Sequence, residues 1–439
     1  MKLAKLSLAA MVVAGLASSS FAADTLADAF KQGSVNGELK AYYFANDNDG
    51  DKDSIFTTGL LLGYKTASFY GLSANFTFQG SASPFADSGA KGDYSGDMYG
   101  SGAQLSEAYL AYSVGKTTAL IGRMFLDTPL VATGGSRVVK DSFEGAALIN
   151  TDLPNTTLIA GYVQKYQNRT DGEGNIGKFS KVMGTGSGHP SSDLNVVFDA
   201  LGVDGDSSLY VDNGAFTLAA INKSIAGLTL TAAYAQAMDV KNFDAASTID
   251  NVRIAYGEAA YAGAAGNFTY GLAAQYYFNS YSGVNGLGGL ITDFDNNSLW
   301  GVKASVGYGA FGAYAAYTKV GDKDLGIVSG IGNGADLAYT MSPIMSDSYA
   351  NDTKAYKVGL TYALLKNANL GVNYTQTERT AIDTSTLLDE KIKNGYAAVE
   401  ADYAFEGALK GLTTSIVYED GSKDASDLSA LWFKAAYKF

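Results

Sequence analysis

The chain has 439 residues, a formal net charge of −13 at pH 7 and no cysteine. Without cysteine, disulfide cross-links, zinc–thiolate sites and cysteine nucleophiles are excluded. The acidic balance argues against a nucleic-acid partner, because nucleic-acid-binding domains need basic patches. Glycine, tyrosine and phenylalanine number 52, 30 and 21, and no linker-like tract divides the chain beyond its N-terminal stretch. This composition indicates one domain.

The N-terminus has the residue order of a secretory signal peptide. Lys2 and Lys5 precede the apolar stretch Leu6–Leu16, and Ser20-Phe21-Ala22 follows it. We expect a signal peptide over residues 1–22. A membrane anchor is the weaker alternative, because the apolar stretch has about 11 residues and a spanning helix needs about 20. Cleavage would remove two lysines and no acid, so the net charge of the mature chain would be −15.

Beyond a short segment at residues 23–33, which we expect to be periplasmic, apolar and polar side chains alternate with period two. In one such run, Leu72, Ala74, Phe76 and Phe78 alternate with Ser73, Asn75, Thr77 and Gln79. Side chains of a strand point alternately to opposite faces, so each run has one apolar and one polar face. No later apolar run reaches about 18 residues, which excludes transmembrane helices. We count 18 runs between Ser34 and Phe439, and 16 stays open as an alternative.

Short connections alternate with long ones along these runs. Ser113–Thr117 and Lys366–Asn367 are short, whereas Ala82–Ala103, Thr170–Asn213 and Gly321–Asp352 are long and polar. This asymmetry is typical of outer-membrane barrels, whose short turns are periplasmic and whose long loops are extracellular. The sequence therefore predicts an all-β fold, a transmembrane antiparallel β-barrel over residues 34–439.

The last run has an aromatic pattern of its own. Phe433, Tyr437 and the terminal Phe439 lie on one face, opposite Trp432 and Lys434. This pattern looks like the C-terminal signature of outer-membrane barrel proteins. We interpret the three aromatic residues as an assembly signal that the barrel assembly machinery reads. The expected location is the bacterial outer membrane, with its lipid as one partner.

A barrel of 16 to 18 strands leaves an aqueous channel, which something must narrow. The segment Phe125–Ser142 combines turn formers with both signs of charge. We predict that it folds inward as a constriction loop, with an ordinary surface loop as the alternative. Its candidate selectivity residues are Asp127, Arg137, Lys140 and Asp141. Period two, together with position beside the loop, predicts these pore-lining residues: Lys40, Glu107, Arg123, Glu144, Glu400, Asp402 and Lys434.

Two stretches resemble one family of porins. Gly122–Leu130, followed by Ser136-Arg137 and Phe143-Glu144-Gly145, is similar to the signature of the OprD-type outer-membrane porins. Gly37–Phe44 resembles the first strand of that family. The general layout is also similar to the major outer-membrane porins of Campylobacter and its relatives.

The OprD resemblance implies an 18-stranded, substrate-selective channel whose third extracellular loop folds inward. It assigns this role to Leu126–Ser142, and it places Arg123 and Arg137 in a basic ladder that guides anionic groups. The chain departs from the family at Lys40, where arginine is usual, and at Val138-Val139-Lys140, which replaces Leu-Leu-Pro.

Other chemistries have weaker support. The one histidine, His189, lies among serines in a glycine-rich stretch, but a catalytic triad is recognised by geometry and not by spacing. We therefore expect no enzymatic activity and no cofactor. The acidic stretch Asp47–Asp53 fails the spacing of an EF-hand, although weak calcium binding by its carboxylates stays open.

The sequence thus predicts a porin for passive diffusion of small hydrophilic solutes and ions, with modest cation preference. The alternative is a substrate-selective channel for small carboxylates or amino acids. The oligomeric state stays open, with a homotrimer among the alternatives.

Overall fold

The computed structural model describes residues 23–184, 208–241, 248–283, 296–323, 326–345, 348–382, 389–423 and 426–439. The predicted signal peptide over residues 1–22 and His189 lie outside these ranges. None of the helices within the ranges is long and apolar enough to cross a membrane.

The described residues form a closed antiparallel barrel of 18 strands, as predicted, and the alternative of 16 strands is excluded. The barrel strands are β1 (Ser34–Asn48), β2 (Asp51–Lys65), β3 (Leu72–Ala82), β4 (Gly102–Val114), β5 (Thr117–Met124), β6 (Ser142–Asn150), β7 (Thr156–Gln167), β11 (Ala215–Asn222), β12 (Leu228–Lys241), β13 (Thr248–Ala265), β14 (Phe268–Ser282), β15 (Asn297–Tyr308), β16 (Phe311–Val320), β17 (Lys354–Leu365), β18 (Ala368–Ile382), β19 (Asp389–Ala404), β20 (Leu412–Lys423) and β21 (Ser426–Lys438). The short strands β8 (Phe179–Ser180), β9 (Val182–Gly184) and β10 (Ser208–Val211) belong to the connection between β7 and β11.

Closure joins the first strand to the last. β1 pairs with β21 from Glu38 opposite Lys438 to Asn48 opposite Leu428. Beyond the ladder, Gly37 N–H donates to the carbonyl of Phe439 at 3.0 Å, and Phe439 N–H donates to the carbonyl of Gly37 at 3.1 Å. Each of the 18 barrel strands therefore has two neighbours, which removes the free sheet edge that an open barrel would expose.

The alternation in the sequence becomes an inner and an outer wall. On β3 the polar residues Asn75, Thr77 and Gln79 are buried inside, whereas Phe76 and Phe78 are 38% and 55% exposed outside. The outer wall also presents aromatic side chains towards both ends of the barrel: Tyr70, Tyr112, Phe268, Tyr308, Phe311 and Phe439 at the end with the termini, and Tyr276, Trp300, Tyr356, Tyr374 and Tyr418 at the other. An apolar band between aromatic girdles is the outer surface of a transmembrane barrel.

The connections at the two ends differ in length as predicted. At the end with the termini, residues 115–116, 266–267, 309–310 and 366–367 form two-residue turns. At the opposite end, residues 83–101, 125–141, 168–214 and 321–353 form long connections. β2 begins at Asp51, because its ladder with β1 continues to Asn48 opposite Asp51.

The described residues also contain three short helical segments. Helix α1 (Leu26–Lys31) begins after Thr25, whose side chain accepts a hydrogen bond from Asp28 N–H at 3.1 Å. Helix α2 (Ser88–Asp93) lies in the β3–β4 loop, and a 3-10 turn (Gly407–Leu409) joins β19 to β20. Helix α2 packs near β2, so the β3–β4 loop also turns back towards the wall.

Candidate constriction site

The β5–β6 loop (residues 125–141) lies inside the barrel against the wall. The ammonium group of Lys40 on β1 donates hydrogen bonds to the carbonyls of Val138 at 3.0 Å and Arg137 at 3.3 Å. The ammonium group of Lys434 on β21 donates to the carbonyl of Ser136 at 2.9 Å. Because both lysines occupy inward positions, the middle of the loop is fixed inside the lumen and not at the outer surface.

Two further wall residues fix the rest of the loop. Gln79 on β3 makes a paired contact with the backbone of Lys140: its amide donates to the carbonyl at 2.8 Å, and its oxygen accepts from the N–H at 2.9 Å. Glu107 on β4 accepts from Phe125 N–H at 3.2 Å, where the loop leaves β5. Gly59 on β2 leaves room for the loop, since a Cβ there would overlap the Val138 side chain.

A second inward connection, the β16–β17 loop (residues 321–353), packs on the first. Ile331 N–H donates to the carbonyl of Leu130 at 2.8 Å, and Ala132 N–H donates to the carbonyl of Ile331 at 3.0 Å. Val131 and Ile331 thereby form a short parallel bridge, and both side chains are buried with the inner wall. The lumen is narrowed by two loops that stabilise each other, of which the sequence indicated only the first.

Asp141 has a structural position at the base of the loop. Its carboxylate is fully buried and accepts hydrogen bonds from Tyr166 OH at 2.6 Å, Asn333 N–H at 2.8 Å and Gly134 N–H at 2.5 Å. Burial raises the pKa of Asp141. Because the Asp141 side chain is not exposed to the lumen, it does not fit the predicted role in ion selection. Its hydrogen bonds instead connect the β5–β6 loop with β7 and with the β16–β17 loop.

Asp127, in contrast, keeps partial exposure. Burial raises the pKa of Asp127 to about 6, and the nearby Lys140 opposes this shift in part. Lys140 lies 3.9 Å from the carboxylate of Glu38, which is also 3.8 Å from Lys40. Asp127 and Lys140 are thus the two charged side chains of the loop that fit the predicted lumen-facing role.

Arg137 is held by a residue that the sequence analysis did not single out. Its guanidinium contacts the carboxylate of Asp97 in the β3–β4 loop at 2.6 and 2.8 Å. Arg169, just after β7, contacts the other oxygen of Asp97 at 2.7 Å. Burial raises the pKa of Asp97 in isolation, but the two arginines outweigh it and hold that pKa below its usual range. No pattern in the sequence identifies Asp97, because it lies in an irregular loop.

A second ion network lies on the wall beside the loop. Arg123 on β5 and Lys165 on β7 contact opposite oxygens of Glu144 on β6 at 3.0 and 3.1 Å. All three side chains keep exposure between 29% and 43%. The guanidinium of Arg123 also lies 4.3 Å from the ring centre of Phe179. The predicted pair Arg123 and Glu144 is thus brought together, and Lys165 joins it.

The other predicted wall residues are spread around the lumen. On β19, Glu400 accepts from the amide of Asn373 at 2.6 Å, and Asp402 accepts from Asn369 at 2.9 Å. On β21, the ammonium of Lys434 lies 4.2 Å from the ring centre of Trp432. Glu400 and Asp402 therefore have neutral amides as partners, unlike Glu144 and Asp97, which contact basic side chains.

Glu419 on β20 is a functional candidate that the sequence analysis missed. Its carboxylate is fully buried and accepts hydrogen bonds from Ser342 Oγ at 2.6 Å, Ile344 N–H at 2.9 Å and Met345 N–H at 3.0 Å. These three donors belong to the β16–β17 loop, so Glu419 anchors that loop to the wall. A charged residue in the inward row of β20 was the signal that could have identified it.

The predicted assembly residues lie where the barrel closes. Phe433 and Tyr437 are 42% and 36% exposed on the outer wall, and Phe439 pairs through its backbone with Gly37. Their role as an assembly signal stays a prediction.

The acidic hairpin between β1 and β2 has local partners. Asp47 accepts from Gly50 N–H at 2.8 Å and lies 3.1 Å from the ammonium of Lys52. Within the described ranges, no group of three or more acidic, histidine or cysteine side chains is arranged to hold a metal ion. Weak calcium binding by this hairpin stays a prediction.

The architecture has counterparts among known proteins. The model of the OprD family, described as outer membrane porin, matches residues 95–204, which include the whole β5–β6 loop. The chain has the fold of OccK9 (OpdG) from Pseudomonas aeruginosa, with a TM-score of 0.73, 14% identity, and coverage of 94% of this chain and 99% of that one. OccAB2 from Acinetobacter baumannii gives a TM-score of 0.72, 14% identity and coverage of 94% and 99%. OpdK from Pseudomonas aeruginosa, solved with vanillate, gives a TM-score of 0.69 and 16% identity, with coverage of 93% of this chain and 99% of that one. Among the curated proteins, none matches the chain.

Proposed function

We propose that this chain is an outer-membrane porin of the OprD family, not an enzyme, and that it conducts small hydrophilic solutes and ions passively, with a modest preference for cations. The observation that supports the proposal is the position of the β5–β6 loop, whose backbone is bound by Lys40, Gln79 and Lys434 from the inner wall. Diffusion through such a lumen needs no energy input. Selectivity comes from the width and the charges of its narrowest part.

The charges near the loop support a weak preference for cations. Asp97 lies between Arg137 and Arg169, and Glu144 lies between Arg123 and Lys165, so each carboxylate cancels one of the two positive charges beside it. Glu400 and Asp402 have neutral amide partners and add two carboxylates to the lumen wall. Salt screens such charges beyond about 8 Å at physiological ionic strength, so the preference is modest and stronger at low salt.

Single-channel recording in planar bilayers tests the conducting path. A variant without Gly134–Lys140 keeps the rest of the loop to bridge β5 and β6, which are adjacent strands paired at Met124 and Phe143. We expect this deletion to raise single-channel conductance, because it removes the part of the loop that lies against β1 and β21. If the variant folds, as judged by heat-modifiable migration in gel electrophoresis, and its conductance is unchanged, the β5–β6 loop does not narrow the conducting path.

Reversal potentials test the ion preference. Across a tenfold KCl gradient we expect a modest cation preference that increases when both salt concentrations are lowered. A clear anion preference would contradict this part of the proposal. It would mean that Lys40, Arg123, Lys140 and Lys434 dominate the lumen potential.

The alternative function, a channel selective for small carboxylates or amino acids, also has an observation in its favour. Basic side chains from β1, β5, β7 and β21 contact or flank the β5–β6 loop: Lys40, Arg123, Lys165 and Lys434. OpdK, a structure of the same fold, was solved with vanillate. Swelling of porin-containing liposomes in gluconate and in sorbitol, a neutral solute of similar size, separates the two functions. Faster entry of gluconate would favour the selective channel.

The proposal also includes two kinds of protein partner. We expect the barrel assembly machinery to insert the chain, and a homotrimer is one of the possible oligomeric states. Chemical cross-linking in outer-membrane vesicles, compared with detergent-purified protein, distinguishes a trimer from a monomer.

A further inference from the structure

Asp97 lies where three connections of the extracellular end meet. It belongs to the β3–β4 loop, and it binds Arg137 of the β5–β6 loop at 2.6 Å and Arg169 of the β7–β11 connection at 2.7 Å. The side chains of Arg137 and Arg169 are 20% and 4% exposed, whereas Asp97 keeps 39%. The carboxylate is therefore the accessible member of a group whose two cations are mostly covered.

Neighbouring contacts keep the two arginines in place. Arg169 also donates to Ser136 Oγ at 3.2 Å, and Thr170 Oγ1 donates to the carbonyl of Gly96 at 2.8 Å. The guanidinium of Arg137 lies 5.1 Å from the ring centre of Trp432 on β21. Asp97 thus joins the β3–β4 loop to the loop that narrows the lumen.

The surroundings of this group are basic. Lys434 lies against the same Trp432 ring, and Lys40 and Lys140 lie 3.8 and 3.9 Å from the carboxylate of Glu38. Asp97 and Glu38 are the carboxylates that contact this group of lysines and arginines within the described residues. Loss of Asp97 would leave Arg137 and Arg169 without the acid that binds both.

We propose that Asp97 is a specificity-determining residue of this channel. It holds Arg137 and Arg169 in position and cancels part of their positive charge, so the narrowed lumen attracts anions less strongly than it would without Asp97. The proposal rests on the function proposed above. It assigns part of the ion selectivity to the β3–β4 loop, which lies outside the constriction loop itself.

The first experiment compares Asp97→Asn with Asp93→Asn. Asp93 is an exposed acid of helix α2 in the same loop, so its substitution makes the same charge change without touching either arginine. We expect Asp97→Asn to raise the chloride-to-potassium permeability ratio by about twofold, as Coulomb's law with salt screening gives for one unit charge about 8 Å away in water at physiological ionic strength. Asp97→Glu, which keeps the charge, should stay close to wild type. An Asp97→Asn ratio no different from that of Asp93→Asn would overturn the proposal.

The second experiment does not depend on conduction. Phenylglyoxal modifies accessible arginines, and peptide mass spectrometry of the folded, detergent-solubilised protein gives the rate at each position. In Asp97→Asn we expect faster modification of Arg137 and Arg169, while Arg123, bound to Glu144, keeps its wild-type rate as an internal reference. Unchanged rates at Arg137 and Arg169 would refute the positioning role.

The two readouts separate failure of this proposal from failure of the channel function. Wild-type protein that forms no channel would reject the proposed function, and the modification rates would still decide whether Asp97 holds the arginines. If Asp97→Asn does not fold, Asp97→Glu is the variant that tests the proposal. Its side chain is longer but keeps the negative charge, so a permeability ratio shifted twofold from wild type would contradict the compensating role.

Discussion

The ammonium group of Lys40 donates a hydrogen bond of 3.0 Å to the carbonyl of Val138, a residue 98 positions later in the chain. The contact joins the first strand of the barrel to the middle of the β5–β6 loop. It is buried, and the same ammonium also reaches the carbonyl of Arg137. A lysine on the wall is thus a structural support of the loop as well as a charge.

Replacing Lys40 should loosen the loop without opening the barrel. A hydrogen bond to a charged group contributes about 1.5–3 kcal/mol, so Lys40→Met should destabilise the inward position of the loop by about that amount. We expect greater current noise and a conductance between wild type and the loop deletion. Lys438→Met, an exposed lysine on β21, makes the same charge change as a control. Equal noise in the two variants would contradict the supporting role.

The ion preference should depend on pH through Asp127. Burial raises the pKa of Asp127 to about 6, with partial opposition from Lys140. Between pH 7 and pH 5 this carboxylate becomes protonated and the loop loses a negative charge, so cation preference should decrease. Reversal potentials at the two pH values measure the change, and Asp127→Asn should reduce it markedly. A pH dependence that is the same in Asp127→Asn would assign the titration to another group.

The same group should affect stability in a defined direction. The folded pKa of Asp127, about 6, is higher than the ordinary value of 3.8 expected in the unfolded chain. The folded state therefore binds the proton more tightly, and this group adds stability as pH falls from 7 through 6 towards 4. The midpoint of urea unfolding should rise over this interval more in wild type than in Asp127→Asn. An equal rise in both proteins would exclude Asp127 as the source.

Glu419 should control the order of the β16–β17 loop. Glu419→Ala removes the acceptor of three hydrogen bonds from Ser342, Ile344 and Met345. We expect chymotrypsin to cleave this loop, for example after Tyr339, at least several times faster than in wild type, while the barrel keeps its heat-modifiable migration. Glu406→Ala, an exposed residue before the 3-10 turn, is the control. Protection equal to wild type in Glu419→Ala would show that packing alone holds the loop.

The terminal aromatic residue should affect assembly. Deleting Phe439 removes both backbone hydrogen bonds with Gly37 and the aromatic ring beside them. We expect less folded protein in the outer membrane and more aggregate in the periplasm. Phe439→Tyr keeps an aromatic ring and should assemble normally. Wild-type levels of heat-modifiable protein after the deletion would count against an assembly signal.

The strands and their faces were predictable because barrel geometry repeats. Period two alone assigns Asn75, Thr77 and Gln79 to the interior of β3, and the structure confirms this for each residue. Strict alternation fails at a bulge in the β3–β4 ladder. There, the consecutive residues Ser106 and Glu107 both contact inward side chains, which no periodic pattern describes.

The individual roles within the loop were not predictable, because partners from distant parts of the chain decide them. Asp127 and Asp141 are the same residue type in one loop, yet Asp141 is buried by Tyr166 and Asn333 while Asp127 keeps partial exposure. Arg137 likewise is bound by Asp97, which lies in another loop and also binds Arg169. Charge patterns identified the loop, whereas its electrostatics depend on tertiary contacts.

The bridge between Val131 and Ile331 has a consequence for the order of folding. The two residues are about 200 positions apart, so their pairing requires β16 and β17 to be in place. Contacts between such distant residues form late, because the entropy of closing the intervening chain must be overcome first. The lumen should therefore reach its final width only in the last stage of maturation. An assembly intermediate that contains only the strands up to β7 has β5 and β6 but lacks the partner that completes the narrowing.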